Sequence, residues 1–447
     1  MKDNISKIAV LGALTLYMAL SLLIAGSVQA MMPGMIDGIT GPDFTLTAKS
    51  GHISTPEGNS VYFWGFANAT GTDTPIVQYP GPTLIVNQGD SVTVALTNTL
   101  PVNVSIVFPG QGQVTTDPVA TNAGLLAEEV PPGGSVTYSF TAAQPGTYLY
   151  HSGTQTDLQM DMGLFGALIV RPSIPMQAYN HPDSAYDGEY LFLLSEMDPK
   201  IHRLVEIGRM DEVDTTTFFP GYWFINGRCA PDTMFAPFVS WLPNQPYNCM
   251  PMMEPGQKIL LRVIGAGRDL HPLHHHGNHS RVIARDGRLL ESSAGQGTDL
   301  SYEVFTVQSV PGQTVDAIFT WTGAGMGWDI YGHGPDDPMA PGEDPNDHGK
   351  PFPVLLPETG DLAFGGFWSG SPFLGALGGL PPGEGGLNPM GGFTYMLHSH
   401  TEKEMTNNDI FPGGMMTMLI VTPPGGSMMA LPLEQGENPI MGKEGGN

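Results

Sequence analysis

Cysteine is almost missing from this chain: Cys229 and Cys249 are the only two in 447 residues. Two thiols permit at most one disulfide, so a disulfide framework is excluded. Basic residues are scarce as well, with 17 Lys and Arg against 43 Asp and Glu and a formal charge of −26. That balance excludes the clustered Lys/Arg footprint of a nucleic-acid binder and disfavours anionic partners. Charged residues of both signs reach only 13%, too few for a highly charged disordered chain. No glycine-rich phosphate cradle follows a strand pattern. The nearest approach to a Gly-x-Ser-x-Gly nucleophile turn is Gly366-Phe-Trp-Ser-Gly370, where the serine falls one place late.

Glycine and proline, by contrast, are plentiful, at 59 and 41. They punctuate short runs rich in Val, Thr and aromatics: Phe44–Ala48, Ser60–Phe66, Thr83–Val86 and Ser91–Thr97. Such runs between turn residues predict an all-β chain of sandwiches. A repeat divides it. His151-Ser-Gly-Thr154 leads to Gly166–Val170, and His398-Ser-His-Thr401 leads to Met416–Val421, each after a Gly- and aromatic-rich strand pattern. Pro311–Phe319 also echoes Pro132–Phe140. The expected organisation is one sandwich over 31–172, a linker, and a second sandwich over 185–423 that carries a Gly/Pro/Asp-rich insertion at 332–391. A Gly-, Pro- and Met-rich tail, 424–447, follows.

Residues 1–30 read as a secretory signal. Lys2 and Lys7 precede an apolar run from Ile8 to Ala25, and Gly26-Ser-Val-Gln-Ala30 offers small residues for cleavage. The alternative is an uncleaved anchor. With no twin-Arg pair, export before folding is expected, to the periplasm, cell surface or exterior. In that compartment Cys229 and Cys249 could form one disulfide; Cys249 with Met250, Met252 and Met253 also reads as a group of soft metal donors, although gap-filling is the more usual role of such methionines.

The densest chemistry lies in His271-Pro-Leu-His274-His275-His276-Gly277. In an extended strand, side chains alternate between faces. His274 and His276 then share one face, while His271 and His275 take the other. Imidazole is the commonest metal ligand and suits copper and zinc. The acidic run Asp336-Asp337…Glu343-Asp344…Asp347-His348 could hold calcium, but it lacks the spacing of a known calcium loop and reads more readily as a solvated face.

The histidine stretch resembles the His-Pro-x-His-x-His-Gly signature of multicopper oxidases. Pro80–Asp90, Pro131–Phe140 and Gly146–His151 resemble the first domain of that family. The resemblance implies tandem cupredoxin-like Greek-key β-sandwiches. It further implies that His271 faces a mononuclear blue copper, and that His274 and His276 face a trinuclear copper cluster.

Several ligands of that pattern are missing. Val107 and Pro109 stand where the first His-x-His motif belongs, and the second reads His151-Ser152-Gly153. The fourth reads His398-Ser399-His400, with Ser399 at the place of the blue-copper thiolate, Glu404 at the next ligand position and Met415 near the axial end. A hydroxyl is a poor soft-metal ligand, so four-electron oxygen reduction by the family's route is not expected. What the resemblance leaves is a residual set, His151, His274, His276, His398 and His400, expected to hold copper in reduced number, with zinc the alternative. His271, Glu404 and Met415 form a degenerate mononuclear site. The expected function is exported metal binding with at most limited oxidoreductase activity. The rivals are a metal-free scaffold with an envelope partner and an active laccase-type or metal-ion oxidase. Two-domain relatives complete their sites across a homotrimer, which would bring His151 to the His274 of another subunit.

Overall fold

The computed structural model describes residues 35–422 except 73, 119–122, 325–326, 328, 330–332, 340–342, 351–370 and 373–392. The expected export signal, the Gly366–Gly370 turn, the tail and most of the insertion lie outside the described residues.

Period-2 patterns become strands with one buried side. Asp43–Ser54 opens by alternating exposed and buried positions, and Ser91–Asn98 alternates throughout. Strand Asp43–Ser54 pairs parallel to Ser91–Asn98, which pairs antiparallel to Ser135–Thr141. Opposite this six-stranded sheet lies a four-stranded one, in which Leu84–Asn87 runs parallel to Phe165–Arg171 and the latter pairs antiparallel to Gly146–His151. Trp64, Leu96, Ile106, Tyr138 and Leu168 fill the space between. Each fully buried aliphatic side chain contributes about 1.5–3 kcal/mol.

The same pairings recur downstream. Gly188–Met197 runs parallel to Lys258–Gly265, which pairs antiparallel to Thr314–Thr320. Across a second core of Phe192, Val263, Phe319, Trp321 and Leu419 lies a sheet containing His271–His275, Phe393–Ser399 and Met416–Val421. In that sheet Met252–Met253 runs parallel to Met416–Val421 and Met253 is buried. The Met run after Cys249 therefore contributes to packing. Two sandwiches of one topology stand in tandem, as the repeat predicts.

A third apolar cluster joins them. Phe63, Tyr79, Leu149 and Phe165 pack with Leu191, Leu193, Phe224 and Ile264. The Tyr79 ring meets Phe165 of its own sandwich at 5.5 Å between centroids and Phe224 of the other at 5.1 Å. Beside it lies a buried polar knot. Arg262 donates to Glu189 Oε2 (2.9 Å) and, across the boundary, to Thr147 Oγ1 (2.9 Å), while Thr147 and Tyr179 donate to the two oxygens of Asp316 at 2.6 and 2.5 Å. Helix Pro199–Glu206 adds a further tie. Asp198 caps it by accepting from the Lys200 amide at 2.9 Å, and His202 reaches the first sandwich, where Nδ1–H donates to Tyr62 O at 2.6 Å.

The expected disulfide is absent. Cys229 and Cys249 are both free, buried thiols. Cys229 packs in the cluster between the sandwiches and Cys249 in the second core, where its thiol lies 3.5 Å from Thr233 O. Pointed into different cores, they are held apart as small apolar fillers. Burial pushes both thiols up, Cys249 to about 12, so neither ionises at neutral pH.

Candidate metal centre

Strand His271–His275 lies between Thr306–Ser309 and Phe393–Ser399, all antiparallel. Its burial alternates: His271, Leu273 and His275 are buried, whereas Pro272 and His274 are partly open. The parity read from the sequence is the parity of the strand. Gly277, at φ +98°, then turns the chain, a conformation that an L side chain rarely adopts.

On the open face, His274 is the cross-strand partner of His398. His276 Nε2 and His398 Nε2 approach to 3.3 Å. Donor nitrogens of His274, His276 and His398 all lie within 4.8 Å of one another. Ligands about 2.0–2.1 Å from one tetrahedral ion sit about 3.3–3.4 Å apart, so the spacing suits a shared cation. His400 flanks the group, with its ring 4.9 Å from His274 and 5.8 Å from His398, and is exposed.

The rings are pre-set for ligation. His398 Nδ1–H donates to Ser399 O at 2.8 Å, which leaves Nε2 bare. His274 Nδ1 shares a 2.8 Å hydrogen bond with Thr306 Oγ1, a partner that no local sequence signal announces. Burial, then the neighbouring imidazoles His276, His398 and His400, push His274 down to about 4. Burial lowers His398 as well. Both rings are neutral at pH 7, the form that binds metal.

His151 is not in this group. It sits in the first sandwich at the place His398 holds in the second. His151 pairs with Phe165 as His398 pairs with Met416, and Val107 bridges His151 as His274 faces His398. Its Nδ1–H donates to Ser152 O at 2.8 Å, the same orienting bond as in His398. The first sandwich thus keeps one oriented imidazole opposite a valine.

The buried face is different chemistry. His271 is wholly enclosed. Its Nε2 meets Glu196 Oε2 at 2.7 Å and its Nδ1 meets Glu404 Oε2 at 2.9 Å. Ser399 Oγ–H donates to the same Glu404 oxygen at 2.6 Å. Burial opposes charge on His271, but the two carboxylates outweigh it and hold the ring up at about 9. At neutral pH it is an imidazolium between carboxylates. Glu196 comes from the distant strand Gly188–Met197, and its Oε1 also accepts the amides of Arg268 and Asp269. A Cβ at Gly267 would fall 1.7 Å from Glu196 Oε2, so only glycine leaves the carboxylate its seat. Met415 is buried nearby, its amide donating to Glu404 O at 2.8 Å. A blue copper does not fit here: the thiolate is replaced by Ser399, and both His271 nitrogens are already hydrogen-bonded. His275 is buried with Nε2 on Ser280 Oγ at 2.8 Å, and burial lowers it to about 3.

Residues 74–174 match the family model described as multicopper oxidase. Laccase abr2 of Aspergillus fumigatus is 41% identical over 95 residues, covering 21% of this chain and 16% of that protein. The L-ascorbate oxidase of Cucurbita pepo var. melopepo is 36% identical over 153 residues, covering 34% of this chain and 26% of that one. The matches thus span about a quarter or less of these relatives. Among solved structures, a blue copper oxidase from Nitrosomonas europaea aligns with TM-score 0.54 and 20% identity over 84% of this chain and 85% of that one. At that identity the likeness speaks to fold, and the fold is all-β tandem Greek-key sandwiches of the cupredoxin type.

Proposed function

We propose that this chain is an exported, metal-binding member of the multicopper oxidase family with at most limited oxidoreductase activity, a reading supported by the match of residues 74–174 to that family's model. His274, His276 and His398, flanked by His400, would hold copper or, alternatively, zinc. The observation that carries this reading is the 3.3 Å approach of His276 Nε2 to His398 Nε2, within a trio of donors no more than 4.8 Å apart. Copper, when bound, supplies one-electron redox chemistry. The chain's own residues do the rest: the Ser399 carbonyl and Thr306 hydroxyl fix ring orientation, and the half-buried setting keeps His274 unprotonated. The thiolate that would couple such a centre to a blue copper is absent, which argues against a laccase-type oxidase.

His151, outside the trio within one chain, would reach the centre only from a neighbouring subunit, so a homotrimer completes this reading. The Lys2 to Ala30 pattern supports export, and among the described residues no helix is long and apolar enough to cross a membrane. A second reading, a metal-free scaffold with an envelope protein partner, draws on the imidazolium between Glu196 and Glu404, which fills the mononuclear position without any ion.

Metal analysis separates the two. Purified wild type equilibrated with copper(II) and dialysed should hold more ion than a His276→Ala/His398→Ala variant. Equal occupancy in the two proteins would overturn metal binding at this centre. A His151→Ala variant mixed with a His274→Ala variant should regain part of the lost copper; a monomeric mass with full occupancy would show the ring model wrong.

A further inference from the structure

Between Thr320 and Lys350 the described residues form neither helix nor strand. Even so, three carboxylates are enclosed there, with Asp329, Glu343 and Asp347 exposed by only 1%, 7% and 6%. Enclosing carboxylates costs several kcal/mol unless they are paired or coordinate a metal. Asp347 is met by Lys350 Nζ at 3.3 Å and accepts the Gly327 amide at 3.0 Å. Asp329 and Glu343 turn instead toward two histidines. His333 Nδ1 lies 3.0 Å from Glu343 and 3.6 Å from Asp329; His348 Nδ1 lies 2.7 Å from Glu343 and 3.8 Å from Asp329. All four donors fall within 4.8 Å of one another.

We infer that Asp329, His333, Glu343 and His348 form a second metal site, for a borderline divalent cation of the zinc class, that clips this segment of the chain to itself. Two imidazole nitrogens and two carboxylate oxygens are a donor set zinc accepts. The separations from 2.7 to 3.8 Å bracket the edge, about 3.3 Å, of a tetrahedron around an ion about 2.0–2.1 Å from each ligand. Two carboxylate charges cancel those of a divalent ion while both imidazoles are neutral. Four protein ligands leave no open position, which is the mark of a structural rather than a catalytic site. An outer shell is in place too: the Gly349 amide donates to Asp329 Oδ2 at 2.9 Å, which aims that carboxylate. A segment whose described residues form no backbone ladder gains order from such a clip, because the ligand bonds offset the entropy cost of closing the loop. This site shares no residue with the histidine centre and does not depend on it.

Zinc sulfate titrated into metal-free, full-length protein tests the site, with hydrogen exchange of residues 327–350 and bound zinc as readouts. Exchange there should slow about tenfold or more in wild type and equally in the His276→Ala/His398→Ala variant. A His333→Ala/His348→Ala variant should show no such protection and hold one zinc fewer. Glu343→Gln, which keeps the shape and removes the charge, should weaken zinc by at least the ~10–100-fold that loss of an outer-shell partner costs. Unchanged exchange in wild type at saturating zinc would overturn the site, as would protection that survives in the His333/His348 variant or vanishes in the His276/His398 variant. Failure of the histidine centre alone would leave protection of 327–350 intact and no metal lost in the His276/His398 variant.

Discussion

One short strand presents histidines to two worlds. On its open face, His274 lies among His276, His398 and His400, and its ring is pushed down to about 4. Three residues away, on the enclosed face, His271 lies between Glu196 and Glu404 and is held up at about 9. The two sites are less than two strand repeats apart, yet the more deeply buried ring is the charged one. Burial opposes charge in both, so burial does not decide between them; the sign of the neighbours does. His274 and His398, facing other imidazoles, stay neutral and keep a nitrogen lone pair for a ligand bond. An imidazole facing carboxylates becomes their counter-ion and has none to give. The enclosed face thus holds an ion pair where the open face holds neutral donors.

The sharpest way to break this contrast is to delete the two rings in turn. His271→Ala leaves two carboxylates enclosed without their cation and should destabilise the metal-free protein by about 3–5 kcal/mol in denaturant unfolding. His274→Ala, which removes a neutral, partly open ring and leaves no buried charge unpaired, should cost less than about 1 kcal/mol. Equal losses would mean that Glu196 and Glu404 do not rely on His271.

Next comes pH. The folded His271 pKa, about 9, lies above the unfolded value of about 6.5. The stability it contributes is therefore fully present below pH ~6.5 and is lost as pH rises through about 9, amounting to about 3 kcal/mol. Unfolding of metal-free protein between pH 6 and pH 10 should show that decline, and a Glu196→Gln/Glu404→Gln variant should not. A flat profile in wild type would return His271 to a neutral role.

The smallest expected change is none at all. Wild type loaded with copper(II) should show no intense visible charge-transfer band, and Ser399→Cys alone should not create one, because His271 still gives both nitrogens to Glu196 and Glu404. A blue Ser399→Cys protein would show that the carboxylates yield readily to copper.

Much of the fold was legible along the chain. Alternation in Ser91–Asn98 and the His151/His398 repeat gave strands and tandem sandwiches, because both signals are local. The parity of His271, His274 and His276 was legible for the same reason. Glu196 was not: it belongs to a strand 75 residues before His271, and nothing in Leu-Leu-Ser-Glu-Met marks it as a buried counter-ion. The Asp329–His348 group was only half legible: Glu343 and His348 lie in the acidic run that reads as a solvated face, yet Glu343 and Asp347 are enclosed, because irregular spacing does not reveal which carboxylates turn inward. The disulfide expectation failed because compartment and cysteine count say nothing about direction, and these two thiols look into separate cores.

The polar knot between the sandwiches sets how the molecule can move. Sliding one sandwich off the other would strip both Arg262 and Asp316 of Thr147, leaving polar groups buried without that partner. Such a boundary resists shear, because each broken bond leaves a buried group unpaired. The wall carrying His151 and the wall carrying His274 are consequently fixed in mutual angle, like the two bevelled sides of a single stave. If staves of this kind close into a ring, the curvature of the ring is already written into each one before any of them meet.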